Sequence, residues 1–165
     1  MQYYFNFFAV ENKNLQFLVS LLDATGVSKA GLASMMGCST QNLFTFLKRD
    51  DMRLSTAQEM AGKLGYTLSF SLEKEGKSTS NVIVNIEPLI GENGLKRLAF
   101  LRAALALYGI DRKDLADKLG ISYTGVNRWF RIDDISVSYI FRIATLYDLK
   151  VNITASPNKT ATKIS

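Results

Sequence analysis

The chain has 165 residues, 47% of them hydrophobic, 21% charged and only two of them proline, which is typical of one globular domain or two small ones and excludes a disordered or collagen-like chain. With no histidine and a single cysteine, Cys38, the sequence excludes a disulfide framework, a histidine-dependent catalytic triad and a His/Cys zinc site. Twenty Lys and Arg against fifteen Asp and Glu give a net charge of +5, which is compatible with a polyanionic partner.

The chain opens on an aromatic run, and residues 3–8 are predicted to form a strand. No basic residue precedes this run, and it ends at Glu11. It therefore resembles neither a secretory signal nor a membrane span, which needs roughly 20 apolar residues. Together with the lone thiol, this favours a cytoplasmic protein.

Three helices are predicted next. Residues 15–24 repeat apolar side chains at helical spacing and indicate a first helix. Ser28 is the N-cap candidate of a second, shorter helix, which is expected to end at Gly37 because glycine takes the left-handed conformation at little steric cost. Ser39 is the N-cap candidate of a third helix.

The first half of the chain ends with a helix and a strand. Ser55 and Gln58 form the Ser-x-x-Gln pattern of a capping box, which predicts a fourth helix starting there. Alternating apolar residues over 68–72 predict a strand, and the polar, turn-forming residues that follow predict a linker at 75–80.

The chain then repeats itself. A shift of 83 positions places Gly37 on Gly120 and keeps about sixty residues in register without a gap. The matched pairs include Leu15 and Leu98, Phe17 and Phe100, Gly26 and Gly109, Leu32-Ala33 and Leu115-Ala116, Ser39 and Ser122, and Asp50-Asp51 and Asp133-Asp134. A chance overlay would not keep these together, so we interpret the pattern as a tandem duplication.

The second repeat predicts the same elements in the same order: a strand at 82–86, a helix at 98–107, a helix capped by Asp111, a third capped by Ser122, a fourth starting near Ser136 or Ser138, and a strand at 151–155. We therefore expect a mainly α fold with a small β component (α+β).

We expect two tandem units at residues 1–74 and 81–156 and a polar tail at 157–165. The four short strands would most simply pair into one shared sheet. Two separate hairpins are the alternative, and isolated hairpins are marginal in water.

A capped helix, a three-residue turn beginning with glycine, and a second capped helix form a helix-turn-helix pattern. Its clearest copy is DRKDLADKLGISYTGVNRWF at residues 111–130, followed by IFRIATLYDLKV at 140–151. This stretch resembles the phage-repressor and Cro-like (Xre-type) DNA-binding family. Residues 28–47, SKAGLASMMGCSTQNLFTFL, resemble it more weakly. The resemblance implies a transcriptional regulator that binds specific sequences of double-stranded DNA.

The third helix of each repeat has an apolar stripe and a polar face. The stripes, which we assign to the core, are formed by Val126, Trp129 and Phe130 and by Leu43, Phe46 and Leu47. The opposite faces carry Thr124, Arg128 and Arg131 in the second repeat, and Gln41, Thr45 and Lys48 in the first.

Matching the family motif position by position implies which residues read bases: Tyr123, Thr124 and Arg128, with Thr40, Gln41 and Thr45 as their counterparts. Arginine suits the paired acceptors of guanine, and glutamine suits adenine. The resemblance also implies phosphate contacts at the start of the second helix, and the basic end of a helix in the major groove meets phosphates. The predicted phosphate-binding residues are Arg112, Arg131, Lys29 and Lys48. A solvated polar surface is the alternative for each.

Charge favours the second repeat as the stronger DNA binder. Residues 95–156 carry ten Lys and Arg against six Asp and Glu, a net +4, whereas residues 13–75 carry a net +1. The first repeat also has Phe44 where the second has Asn127. We expect Phe44 to be partly buried by the neighbouring sheet, with a protein contact as the alternative.

A protein-interaction module, for example an antitoxin-like or inhibitor partner that kept the fold, is the second candidate function. Unpaired strand edges invite partner strands or a homodimer, and fold alone does not give function. An enzyme is not expected, because the two Asp-Asp pairs lie in loops before a helix, where capping explains them. Cys38 is expected to be buried and inert. We expect no cofactor, no metal and no membrane partner.

Overall fold

The computed structural model describes residues 5–8, 13–74, 90–91 and 94–158. The helices in these ranges are α1 Gln16–Thr25, α2 Lys29–Met36, α3 Thr40–Arg49, α4 Leu54–Lys63, α5 Ala99–Leu107, α6 Arg112–Leu119, α7 Tyr123–Ile132 and α8 Val137–Leu146. The strands are β1 Phe5–Phe8, β2 Tyr66–Lys74, β3 Ile90–Gly91, β4 Gly94–Leu95 and β5 Leu149–Pro157. The fold is mainly α with a small β component, as the sequence predicts.

Packing divides the chain into two compact units. The first comprises Met1–Phe70, Ser136–Ser138 and Asn152–Ser165, and the second comprises Ser71–Ile135 and Tyr139–Val151. The sequence limits of the two repeats stay a prediction.

Each unit buries the apolar stripes of its helices. In the first unit these are Leu18, Leu32, Leu43, Leu54 and Met60, and in the second they are Leu98, Leu101, Leu115, Val126 and Ile140. In the first unit α1 also packs on β2, where the rings of Phe17 and Phe70 meet edge to face with centroids 5.7 Å apart. Burial of these stripes is the main source of stability, since each fully buried large side chain contributes about 1.5–3 kcal/mol before entropy is counted.

Three of the described strands form one sheet, in the order β1-β5-β2. β1 pairs antiparallel with β5, placing Phe5 opposite Ala155 and Phe8 opposite Asn152, all within the first unit. A strand that opens the first repeat thus pairs with the strand that ends the second. This arrangement is a shared sheet rather than two separate hairpins.

Two further strand predictions have different outcomes. The alternation predicted for both ending strands is confirmed, because Leu68, Phe70 and Leu72 are buried on β2, and Val151, Ile153 and Ala155 on β5. The strand predicted at 82–86 lies outside the described residues. Before α5, β3 and β4 form a short antiparallel hairpin with Ile90 opposite Leu95.

Serine caps begin the helices where the sequence predicts them. The Ser28 hydroxyl accepts a hydrogen bond from the Gly31 N–H at 3.0 Å, and Ser39 does the same for Asn42 at 3.1 Å. Ser122 caps α7 through the Gly125 N–H at 3.0 Å. Asp111 stands at the N-cap of α6 but makes no side-chain cap hydrogen bond.

The capping box predicted at Ser55 is wrong. α4 begins at Leu54, its N-cap residue is Arg53, and no side chain caps it, so Ser55 lies inside the helix. Leu54 is fully buried, and this burial draws it into the first helical turn. In the second repeat α8 begins at Val137, directly after Ser136, close to the predicted start.

Asp50 links the end of α3 to the start of α1. It ends α3 in the left-handed conformation, with φ of 55°. Its carboxylate accepts hydrogen bonds from the backbone N–H groups of Asn14, at 2.7 Å, and Leu15, at 2.9 Å. No side chain of its own segment caps α1, so Asp50 satisfies these donors from 35 residues away.

Asp133 repeats this arrangement in the second unit. It ends α7 with φ of 54°, and its carboxylate accepts from the N–H groups of Arg97, at 2.7 Å, and Leu98, at 2.9 Å. The sequence predicts that these aspartates cap the helix that follows each loop. The helix that each one caps is the first of its repeat, α1 or α5. In the first unit the neighbouring aspartate, Asp51, binds near the start of α8. Its carboxylate accepts hydrogen bonds from the Ser138 N–H, at 3.0 Å, and from the Ser138 hydroxyl, at 2.8 Å.

Two more observations complete the fold. Cys38 is half-buried rather than buried, as is its counterpart Ile121, because both stand in the exposed turn after the second helix. Among the helices described above, none has the length and apolar character needed to cross a membrane.

Candidate nucleic-acid interface

The second unit contains a helix, a three-residue turn and a second helix. α6 ends at Gly120, whose φ of 70° is left-handed, and the Ile121 N–H returns to the Ala116 carbonyl at 3.0 Å. Ser122 then caps α7. Glycine is the residue that takes this conformation without steric cost, so the turn that joins the two helices depends on it.

α7 is oriented as its sequence pattern predicts. Val126 and Phe130 are buried, and Trp129 packs on the Tyr139 ring with centroids 5.0 Å apart. The opposite face is open: Tyr123 has 53% of its surface exposed, and Thr124, Arg128 and Arg131 are exposed as well. The polar face of α7 is therefore not sealed by the rest of its unit.

The two arginines of this face have no role in holding the unit together. Within the described ranges, neither Arg128 nor Arg131 forms a hydrogen bond, an ion pair or a ring contact. Their positive charges point to solvent at the middle and end of α7. They can therefore bind an anionic partner without breaking an existing contact.

In the first unit α3 is oriented like α7, with its apolar stripe inward and its polar face outward, but its exposed side chains differ from those of α7. Leu43 is buried, whereas Gln41, Thr45 and Lys48 are exposed and Thr40 is half-buried. The Thr45 hydroxyl donates to the Gln41 carbonyl at 2.9 Å, which leaves its oxygen as an acceptor only.

Phe44 is the residue of α3 whose exposure differs most from the sequence-based expectation. Partial burial by the neighbouring sheet was expected for it, but it is one of the exposed large hydrophobic side chains, with 46% of its surface exposed. The Nζ atom of Lys29 lies over this ring, 5.4 Å from its centroid. The expectation failed because Phe44 lies one residue beyond the buried stripe, next to Gln41 and Thr45 on the outward face.

Arg112 is less open than the resemblance implies. It is half-buried, its Nη1 donates to Asn127 Oδ1 at 3.0 Å, and its guanidinium stands 4.0 Å from the Phe130 ring centroid. Burial lowers the pKa of Arg112 from its usual range, and the neighbouring charge of Arg102 lowers it further. Lys29, its counterpart in the first unit, is exposed.

Arg102 is a residue that the sequence analysis missed. Its guanidinium lies 4.8 Å from the Phe130 ring centroid, and its Nη2 donates to the Phe130 carbonyl at 3.3 Å. The available signal was the alignment of the repeats, in which Arg102 falls on Val19. A charge at a position that is apolar in the sister repeat indicates a local function.

Among the described residues, no group of three or more Cys, Asp or Glu side chains could hold a metal ion.

Comparison with known proteins finds two similarities, each over part of the chain. Residues 101–153, which contain α6, α7 and α8, match the helix-turn-helix protein family. A 68-residue segment, 41% of the chain, is 32% identical to the repressor protein CI of Enterobacteria phage phi80 and covers 29% of that protein. The match therefore spans less than a third of the repressor's length. No solved structure matches the chain.

Proposed function

We propose that the chain is a transcriptional regulator that binds specific sequences of double-stranded DNA by placing α7 in the major groove. The observation that carries the proposal is the polar face of α7, with Thr124, Arg128 and Arg131 exposed, in a segment that matches the helix-turn-helix family. A protein that is similar to part of the chain is a repressor by name, which supports the same class of function.

Each part of the α7 face has a role in this proposal. Tyr123 and Thr124, at its N-terminal end, and Arg128, one turn further, meet base edges, and Arg128 suits guanine. Arg131, at the C-terminal end, meets a phosphate. Arg112 assists at the start of α6 with the donors that Asn127 leaves unused.

We further propose that the first repeat is a second, weaker reader. Thr40, Gln41 and Thr45 would face bases, and Lys29 and Lys48 would face phosphates, with Gln41 suited to adenine. Its net charge of +1, against +4 for the second repeat, gives it less attraction to the DNA backbone. Because the two surfaces differ, the expected binding site is asymmetric rather than a palindrome.

A salt titration tests the proposal. Binding of the chain to mixed-sequence duplex DNA should weaken steeply as salt rises, because each neutralised phosphate releases counterions. With about four phosphate contacts, the slope of log K against log salt should be roughly −3 to −4. Fluorescence anisotropy of a labelled duplex measures it.

A protein-interaction module remains the second candidate, and one observation favours it. Met35 and Phe44 of the first unit each have 46% of their surface exposed, and exposed large apolar side chains are typical of protein contacts. In the same titration, this candidate predicts weak binding to any duplex at low salt and no sequence preference. A steep slope together with a preferred sequence would contradict it.

A further inference from the structure

Two arginines of the second unit share one aromatic ring. The guanidinium carbons of Arg102 and Arg112 lie 4.8 Å and 4.0 Å from the Phe130 ring centroid. One arginine comes from α5 and the other is the first residue of α6, so two separate helices bring these charges together. Phe130 is buried near the end of α7, which fixes the ring that both guanidinium groups contact.

The protein holds each guanidinium through neutral groups alone. Arg102 donates to the Phe130 carbonyl, and Arg112 donates to the Asn127 side-chain oxygen. Within the described part of the chain, no carboxylate forms an ion pair with either arginine, and Arg102 Nε is buried without a hydrogen-bond partner. Two like charges in a partly desolvated place repel each other, and an anion between them relieves that repulsion.

An arginine used only for packing looks different in this unit. Arg142 lies 5.3 Å from the Tyr139 ring centroid, and its Nη2 donates to the Leu119 carbonyl at 3.1 Å. Like Arg102, Arg142 contacts one aromatic ring and donates to one backbone carbonyl. Unlike the ring of Phe130, the ring of Tyr139 is contacted, among the described residues, by one guanidinium and not by two. The Arg102–Arg112 pair therefore holds a concentration of positive charge that packing alone does not require.

We infer that Arg102 and Arg112 form a binding site for a single phosphate group. This inference rests on the proposed function for its natural ligand, a phosphodiester of the DNA backbone. The η N–H groups that the two arginines leave unused give the planar, multiple donors that a phosphate accepts, and each guanidinium is already oriented by its ring and its hydrogen bond. Arg102 is thus a phosphate-binding residue, and Phe130 and Asn127 position the pair.

A scan of neutral phosphates tests the site on the complete chain. In a duplex selected for tight binding, each phosphate is replaced in turn by an uncharged methylphosphonate. With the wild-type chain, one or two positions next to the α6 contact should weaken binding about tenfold, the loss of one charge-assisted contact. With Arg102→Gln, the same positions should weaken binding clearly less than in the wild type, because only Arg112 is left to bind that phosphate.

Two variants keep this result interpretable. Arg142→Gln removes an arginine with the same kinds of contact, and it should keep the wild-type scan. Arg102→Lys keeps the charge, should melt like the wild type, and should retain a reduced effect at the same phosphates. If Arg102→Gln gives an unchanged scan while its affinity and melting match the wild type, the site is overturned and the proposed function stands.

Inorganic phosphate distinguishes a free ligand from the DNA backbone. If the wild-type chain binds no duplex, the proposed function fails, and the site is then judged by thermal melting in phosphate against chloride at equal ionic strength. A rise in Tm with phosphate that Arg102→Gln abolishes would assign the site to free phosphate. No rise would overturn the site as well.

Discussion

Replacing Arg128 and Arg131 together by alanine is expected to abolish binding to duplex DNA and to leave the thermal melt unchanged. Both side chains are exposed on α7, and within the described ranges neither forms a hydrogen bond, an ion pair or a ring contact, so the fold should lose little. The complex loses a base contact worth about 1–3 kcal/mol and a phosphate contact of similar size. Binding should therefore fall by a hundredfold or more, measured by anisotropy with the variant's melt beside it.

A second double variant controls for the lost charge. The double variant Lys118→Ala with Arg142→Ala also removes two positive charges, one from α6 and one from α8. In the wild type Lys118 pairs with Asp114 at 3.3 Å, and Arg142 contacts Tyr139. It should bind DNA only a few-fold more weakly, the effect of net charge alone. If the α7 variant binds like the wild type, or no worse than this control, the polar face of α7 is not the reading surface.

Asp133→Ala is expected to destabilise the second unit strongly. The substitution leaves the N–H groups of Arg97 and Leu98 without their carboxylate acceptor, and it places alanine at a φ of 54°. The lost cap costs about 1–2 kcal/mol and the left-handed alanine about 1–2 kcal/mol more. The free energy of unfolding should therefore fall by about 2–4 kcal/mol.

The single tryptophan makes this measurable. Trp129 lies on α7, in the same unit, so its fluorescence during urea unfolding reports the second unit. Asp133→Asn tolerates the left-handed conformation and keeps one acceptor oxygen, so it should lose roughly half as much. Asp50→Ala should lower the free energy of unfolding of the first unit by a similar amount, and circular dichroism during urea unfolding measures it. An unfolding midpoint unchanged in Asp133→Ala would show that the cap contributes nothing.

Local patterns predicted most of this fold. The helices, the serine caps and the buried stripe of α7 depend on residues within four positions of one another, and the sequence shows such spacings directly. Contacts between distant residues were not predictable in this way. The capping of α1 by Asp50 joins residues 35 positions apart, and the stacking of Arg102 on Phe130 joins α5 to α7.

The errors on the candidate surface have the same origin. Ser55 was predicted to begin α4 because its spacing to Gln58 fits a capping box, but the tertiary burial of Leu54 moves the helix start. Phe44 was expected to be partly buried by the neighbouring sheet, but it lies on the outward face of α3 with 46% of its surface exposed. Arg112 was expected to face a partner directly, yet Asn127 and Phe130 occupy part of its surroundings.

Selection of bound duplexes from a random pool tests most directly the claim that α7 reads DNA sequence. The wild-type chain should enrich one asymmetric site, and the selection with Arg128→Ala should enrich the same site with the preference for one guanine relaxed. The account is contradicted if the wild-type chain enriches no sequence, or if the site enriched by Arg128→Ala keeps every preference of the wild type.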